Sequence, residues 1–259
     1  MKLASWNVNS LKVRLPHLLD WLAENQPDIV GLQETKTVDD NFPLEDIKAA
    51  GYHVSFAGQK TYNGVALLSK AEISDIVTDL PDLDDPQRRV LGGTVHHANG
   101  DVRFLNLYVP NGSEVGSEKY DYKLGWLEAL EKYIQSQLTE HKNFVVVGDF
   151  NIAPDDRDLW DPVGWKDQIL VSPLERAAFQ RLIDLGLTDT FRLFEQDAEI
   201  YSWWDYRAAG FRRNNGMRID LILSSPAMTE CCTASYVDIE PRKLERPSDH
   251  APVVAEFTL

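Results

Sequence analysis

The chain has 259 residues, 43% of them hydrophobic, and 41 acidic against 26 basic side chains leave a formal net charge of -15. That apolar content is enough for a large core, and nothing between the strand-like runs reads as a linker, so one domain spanning 1-259 is expected. The net negative charge excludes indiscriminate binding to nucleic acid, which a polyanion reserves for cationic surfaces. The only cysteines, the adjacent Cys231 and Cys232, cannot staple distant segments and lack zinc-site spacing, so a reducing setting with two buried thiols on a strand edge is expected over a strained vicinal disulfide.

Lys2 to Ser5 forms a strand-like run that leads into Trp6-Asn7, with no basic-then-apolar leader before it. No apolar stretch approaches the roughly 18 residues of a membrane span, so a soluble, cytoplasmic protein is expected. Leu15, Leu18, Leu19 and Leu22 then repeat at helical spacing, with Pro16 suited to a first turn. Ile29 to Leu32 is a second strand, ending at Gln33-Glu34. An acidic stretch, Asp79, Asp82, Asp84 and Asp85, precedes the basic pair Arg88-Arg89, and Phe104 to Leu107 runs into Tyr108. Tyr120, Leu124, Leu127, Leu130, Ile134 and Leu138 mark a long helix. Phe144-Val145-Val146-Val147 reads as a fully buried strand delivering Gly148-Asp149-Phe150-Asn151 at its C-terminal end.

Beyond a second acidic group, Asp155, Asp156, Asp158 and Asp161, a helix around Leu174 to Leu185 is broken by Gly186. From Tyr206 to Ile219 there are four arginines, Arg207, Arg212, Arg213 and Arg218, and no acid. Aromatics mixed with arginines suit base stacking together with phosphate contact. Asp220 opens the run Leu221 to Leu223, Arg242-Lys243 adds another basic pair, and Ser248-Asp249-His250 enters a last strand over Ala251 to Val254. Strands alternating with helices predict α/β layering, and strand, helix, strand-to-acid occurs twice, from Asn7 to Glu34 and from Tyr108 to Asp149, a hint of duplication.

Polar groups at six strand ends point to a shared site. Hydrolysis of a phosphodiester needs an activated water, neutralisation of charge on the phosphoryl oxygens and a stabilised leaving group. A hard divalent cation such as Mg²⁺ prefers oxygen ligands and few carboxylates, which suits Glu34 with Asn7 and Asp249 if the strand ends converge. None of the six histidines pairs at zinc spacing. Adjacent side chains in extended backbone point apart, so His250 needs a carboxylate other than Asp249 to orient it.

Seven segments in order, Trp6 to Leu11, Leu32 to Lys36, Tyr62 to Leu67, Gly148 to Asn151, Trp203 to Arg207, Met217 to Asp220 and Pro247 to Pro252, resemble the exonuclease III branch of the endonuclease/exonuclease/phosphatase superfamily, the DNase I-like fold. The resemblance runs end to end. It implies a four-layer α/β sandwich, two packed mixed β-sheets flanked by helices, with the site at one end of the sheets. It implies Glu34 as principal metal ligand with Asn7 and Asp249, Asp149 as base held by Asn151, Tyr108 near the scissile phosphate, and Asp220 orienting His250. Asp149, Asn151 and His250 belong to the implied metal neighbourhood as well. Mg²⁺ is the implied cofactor, with Mn²⁺ able to substitute.

The activity implied is that of a DNA repair nuclease, a 3′-to-5′ exonuclease on duplex DNA and an endonuclease 5′ to abasic sites, acting as a monomer with no obligate protein partner. Expected DNA contacts are Arg89, Arg207, Arg212 and Arg213, with Trp203, Met217 and Ile219 at the positions that line the abasic-sugar pocket. Met217 and Asn9 differ from some well-known members and the loop Val109 to Ser113 from the best-known bacterial one, differences that bear on lesion preference. Two rival readings are a non-catalytic nucleic-acid-binding member of the fold and a phosphoesterase acting on inositol phosphates or sphingomyelin.

Overall fold

A computed structural model describes residues 1–259. Along the chain run β1 (Lys2–Asn7), α1 (Leu11–Asn25), β2 (Ile29–Gln33), α2 (Leu44–Ala49), β3 (His53–Ala57) and β4 (Val65–Ser69). There follow β5 (Ile73–Val77), β6 (Val90–Val95), β7 (Val102–Tyr108), α3 (Glu118–Glu140) and β8 (Phe144–Asp149). The last part holds α4 (Pro173–Asp184), β9 (Thr188–Asp189), β10 (Trp203–Trp204), α5 (Gly210–Arg213), β11 (Gly216–Met217), β12 (Asp220–Ser224), α6 (Pro226–Glu230), β13 (Cys232–Val237) and β14 (Val253–Phe257).

The strands form two six-stranded sheets, ordered β13-β14-β1-β2-β4-β3 and β5-β6-β7-β8-β12-β9, with β10 and β11 a separate ribbon. Each large sheet holds one parallel pair, β1 with β2 and β7 with β8, joined through α1 and α3 respectively. They coincide with the repeated strand, helix, strand-to-acid order that hinted at duplication in the sequence. Both sheets are therefore mixed.

Three apolar clusters lie between four layers. Leu3, Ile29, Leu67, Phe104, Val145, Val147 and Val253 fill the space between the sheets. Trp6, Leu18, Trp21 and Leu22 join α1 to the outer face of the first sheet, and Trp126, Leu127, Leu130 and Leu182 join α3 and α4 to that of the second. Strands buried on both faces carry continuous apolar runs, the pattern that Phe144 to Val147 displays. No helix is long and apolar enough to cross a membrane.

Close packing also fixes where the acids emerge. A Cβ at Gly31 would lie 2.8 Å from both the Asn106 side chain and Val147, and one at Gly148 would lie 2.0 Å from the Leu107 carbonyl oxygen. Only glycine lets the strands approach this closely just before Glu34 and Asp149. Between the sheets, Gln33 Nε2 donates to Ser5 Oγ and to Asn106 Oδ1 at 2.9 and 2.6 Å. Cys231 and Cys232 are free and only partly buried, at the start of the edge strand β13. The final strand begins later than expected, at Val253. Pro252 has no N–H for a ladder, and the Ala251 N–H is taken by Ser202 O at 2.7 Å.

Candidate active site

The ends of β1, β2, β7 and β8 and the start of β12 meet beside His250. Asn7 Nδ2 donates to Glu34 Oε1 at 2.9 Å and to Asp149 Oδ2 at 3.0 Å, tying the two sheets together. Its Oδ1 accepts from Asn9 N at 3.0 Å. Ser248 Oγ donates to Asn7 O at 2.6 Å and accepts from His250 N, which seats the last segment against the first strand.

His250 Nδ1 lies 2.9 Å from Asp220 Oδ2, and its Nε2 lies 3.7 Å from Asp149 Oδ2. Ser202 Oγ donates to Asp220 Oδ2 at 2.6 Å and accepts from the N–H groups of Ile219 and Asp220. Burial lowers the His250 pKa, but the charges of Asp220 and Asp149 outweigh it and raise it to about 10. The imidazolium is thus the form at neutral pH, and it has no lone pair to offer a metal. For Asp149, burial dominates; with Asp220 and Glu34 adding to it and His250 and Asn7 opposing, its pKa rises to about 7. A carboxyl poised there can accept a proton near neutral pH.

Asp149 is further held by Asn151, whose N–H donates to Asp149 Oδ1 at 2.9 Å. The Asn151 amide is fixed on both sides: Nδ2 donates to Val109 O and Oδ1 accepts from Asn111 Nδ2, each at 3.0 Å. Tyr108 is half-buried under Arg89, whose guanidinium carbon sits 4.8 Å from the ring centroid. Burial pushes the phenol well above its usual range, and Glu34 and Asp149 push it further. It stays a neutral donor.

Glu34, Asp149 and His250 bring ligand atoms within 4.8 Å of one another; with His250 protonated, the two carboxylates are the members of this cluster that can hold a metal ion. The donors are hard oxygens with no thiolate, and Glu34 already attracts a cation: Lys36 Nζ lies 2.8 Å from its Oε2 and 2.6 Å from Asn9 Oδ1. This chemistry fits a divalent ion that keeps most of its water. Asp249 accepts from Asn9 Nδ2 at 2.8 Å and from the Trp203 indole at 3.1 Å. In the arrangement present, Asn7 turns its NH₂ and not its oxygen toward the carboxylates.

The recognition residues divide. Arg212 and Arg213 are exposed and carry no ion pair, whereas Arg207 is bound through Nε and Nη2 to Asp205, at 2.7 Å for the shorter bond. Arg218, read as part of the basic cluster, is instead wholly buried between Asp158 and Asp189. Its charge is spent inside the protein. Met217 and Ile219, expected to line a pocket, are 0% and 2% exposed and pack with Ala153, Leu159, Leu170 and Val171 behind the half-buried Trp203. They support the Trp203 wall from within. Trp204 is core, edge-on to Phe211.

Two clefts flank the centre. One of about 410 Å³ is lined by Tyr62, Arg89, Tyr108, Asn111, Lys119 and Tyr122. The other, about 610 Å³, carries Lys12, Lys36 and Lys60 and no acid. Sequence reasoning missed these lysines and the roles of Asn9, Asn111, Ser202 and Ser248. The lysines lie far apart in the chain and form no basic run; the Asn111 loop stands out in the sequence only as differing from the best-known bacterial member of the family.

The endonuclease/exonuclease/phosphatase family model matches residues 4–250. The chain belongs to this family. Exodeoxyribonuclease III of Haemophilus influenzae is 39% identical, with 99% of this chain and 100% of the relative covered. Among solved structures, the 3′ phosphatase NExo from Neisseria, bound to a product DNA hairpin, superposes with a TM-score of 0.97 at 48% identity, with all of both chains covered. An AP endonuclease from Archaeoglobus fulgidus superposes at 0.95 with 39% identity, again over both full lengths. The two-sheet, helix-flanked architecture is the DNase I-like fold that these family members share.

Proposed function

We propose that this chain is a metal-dependent DNA repair nuclease that removes nucleotides from 3′ ends of duplex DNA and cleaves 5′ to abasic sites. The observation carrying this reading is the buried Asp149, hydrogen-bonded by Asn7 and Asn151 and facing a His250 imidazolium that Asp220 orients. Family membership and the names of full-length relatives support the substrate class. We assign the activity to one domain, 1-259, acting as a cytoplasmic monomer.

In this mechanism Asp149 takes the proton of the attacking water as its oxygen bonds to phosphorus, His250 donates to a phosphoryl oxygen as negative charge builds there, and the P–O3′ bond breaks, the departing O3′ gaining a proton from water. Asn151 fixes Asp149, and the Tyr108 phenol donates to the phosphate. Glu34, with Asp149, Asp249 and a turned Asn7, would hold Mg²⁺ or Mn²⁺, which supplies further charge neutralisation. Arg89, Arg212 and Arg213 and the lysine cleft hold the DNA backbone, and Trp203 meets the sugar. Because Met217 and Ile219 are sealed, a second reading gives 3′ termini precedence over internal abasic sites, in keeping with the 3′ phosphatase relative.

The deciding assay offers three duplexes: one abasic analogue, a recessed 3′ end, and a 3′-phosphate end. Cleavage with Mg²⁺ that EDTA abolishes is expected. Release of phosphate from inositol phosphates, with all three duplexes untouched, would overturn the reading.

A further inference from the structure

Lys123 is the one lysine of this chain wholly withdrawn from solvent. It lies on the inner face of α3, and its ammonium has an acceptor for each of its three N–H bonds: Asn151 O at 2.7 Å, Asn111 O at 3.1 Å and Glu175 Oε1 at 2.5 Å. Glu175 is fully occupied in turn, accepting from Leu170 N on one oxygen and from Ser172 N and Oγ on the other.

The two carbonyls that Lys123 gathers belong to the residues whose side chains meet at the site, Asn111 Nδ2 donating to Asn151 Oδ1. Both loops are conformationally costly there. Gly112, Ser113 and Asn151 have φ of 87°, 62° and 48°, and non-glycine residues persist in that region only when their surroundings hold them. A Cβ at Gly112 would lie 3.0 Å from Lys123 Cδ, so the lysine stem also packs against the turn. A side chain serving only to fill the core would be apolar, since a buried ion pair gives little net stability over well-packed hydrophobic residues.

We infer that Lys123 is a positioning residue for the reaction. It ties the loop after β7 to the loop after β8, and so sets how Asn111 and Asn151, and through Asn151 the Asp149 carboxylate, are presented to the phosphate. This inference rests on the nuclease reading above.

Three variants test it: Lys123→Met, the pair Lys123→Met with Glu175→Gln, and Leu182→Ala as a control that loosens the same core from α4 while leaving the Lys123 hydrogen bonds to both loops in place. Each is measured by kcat and KM on the recessed 3′ duplex, by Tm, and by the side-chain amide NMR signals of Asn111 and Asn151 in the DNA-free enzyme. The pair is included because Lys123→Met alone strands a buried carboxylate and lowers Tm. Neutralising Glu175 restores folding while leaving the loops untied. In the pair, kcat is expected to fall about 10- to 100-fold with KM held within about threefold, and both amide signals to shift or broaden. Leu182→Ala at matched Tm should keep kcat within about twofold and leave the signals in place. The inference is overturned if the folded pair keeps both parental kcat and parental amide signals, or if Leu182→Ala loses as much kcat. Should the unaltered protein cleave no DNA, the nuclease reading fails, and the amide signals alone still decide whether Lys123 holds the two asparagines.

Discussion

Asp149, Asp220 and His250 are 2%, 1% and 3% exposed and bonded to fixed partners, whereas Arg212 and Arg213, in the short helix α5, stand in solvent with no ion pair. The first group must present one geometry in a low-dielectric setting, because a misplaced base or donor loses most of its effect. The second attracts a charged polymer from a distance, and hydrated, mobile cations do that well at little cost in stability. Acidic though the chain is overall, its cations are locally concentrated: the exposed Arg212 and Arg213, Arg89 in one cleft, and Lys12, Lys36 and Lys60 in the other.

The contrast breaks most sharply at Asp149. Asp149→Asn should lower kcat by about three orders of magnitude or more, since an amide cannot take a proton from water, while Tm and DNA affinity change little. Single-turnover cleavage and a binding isotherm would read both, and near-parental cleavage would remove Asp149 as the base.

Of intermediate size is the pH response of the buried pair. Activity requires Asp149 ionised and His250 protonated, so the rate should rise as pH passes about 7 and fall as it passes about 10. A bound cation favours the Asp149 carboxylate and moves the lower limb downward. The raised pKa of His250 also implies stability that is fully present below the ordinary value of 6.5 and lost as pH climbs through about 10. Asp220→Asn removes the larger of the charges that raise it, so the alkaline limb should move toward neutrality with a loss of about 100-fold in kcat. An alkaline limb unchanged in that variant would mean His250 is not the acid.

The smallest effects belong to the exposed arginines. Replacing Arg212 and Arg213 with Ala should flatten the plot of log affinity against log salt by about 0.9 for each phosphate no longer neutralised, with kcat nearly unchanged. Arg207→Ala should flatten it less than either, because Asp205 already neutralises that guanidinium. Equal slopes for all three would show that ion pairing in the free protein does not decide which arginines reach DNA.

The catalytic half was far more legible in the sequence than the recognition half, for a physical reason. A strand buried on both faces announces itself by a run such as Phe144 to Val147, and the polar residue that ends it has to face solvent or a site. Asn7, Glu34, Tyr108 and Asp149 could be located this way, and Asp220 as the polar residue that opens such a run. Their mutual bonds could not: Asn7 and Asp149 are 142 residues apart, and only the stacking of the sheets brings them together. For Arg218 and Met217 local composition misleads, since a basic, aromatic segment looks like surface while its end, Gly216 to Asp220, is buried throughout, Arg218 against Asp158 and Asp189 and Met217 in the Leu159 cluster. Clefts built from single lysines leave no run to read.

The bonds from Trp203 to Asp249, Asp249 to Asn9, Asn9 to Lys36 and Lys36 to Glu34 form an unbroken thread from the aromatic wall to the candidate metal carboxylate. Groups that share partners do not respond independently. A substitution in the wall therefore tests more than the wall: Trp203→Phe keeps the ring and deletes only the indole N–H, freeing an oxygen of Asp249 and slackening its hold on Asn9. In a thermodynamic cycle with Lys36→Met, the two changes should depart from additivity by about 0.5–3 kcal/mol. Under the proposed function, a change at the aromatic wall is then felt at the metal carboxylate, and lesion preference and metal affinity move together.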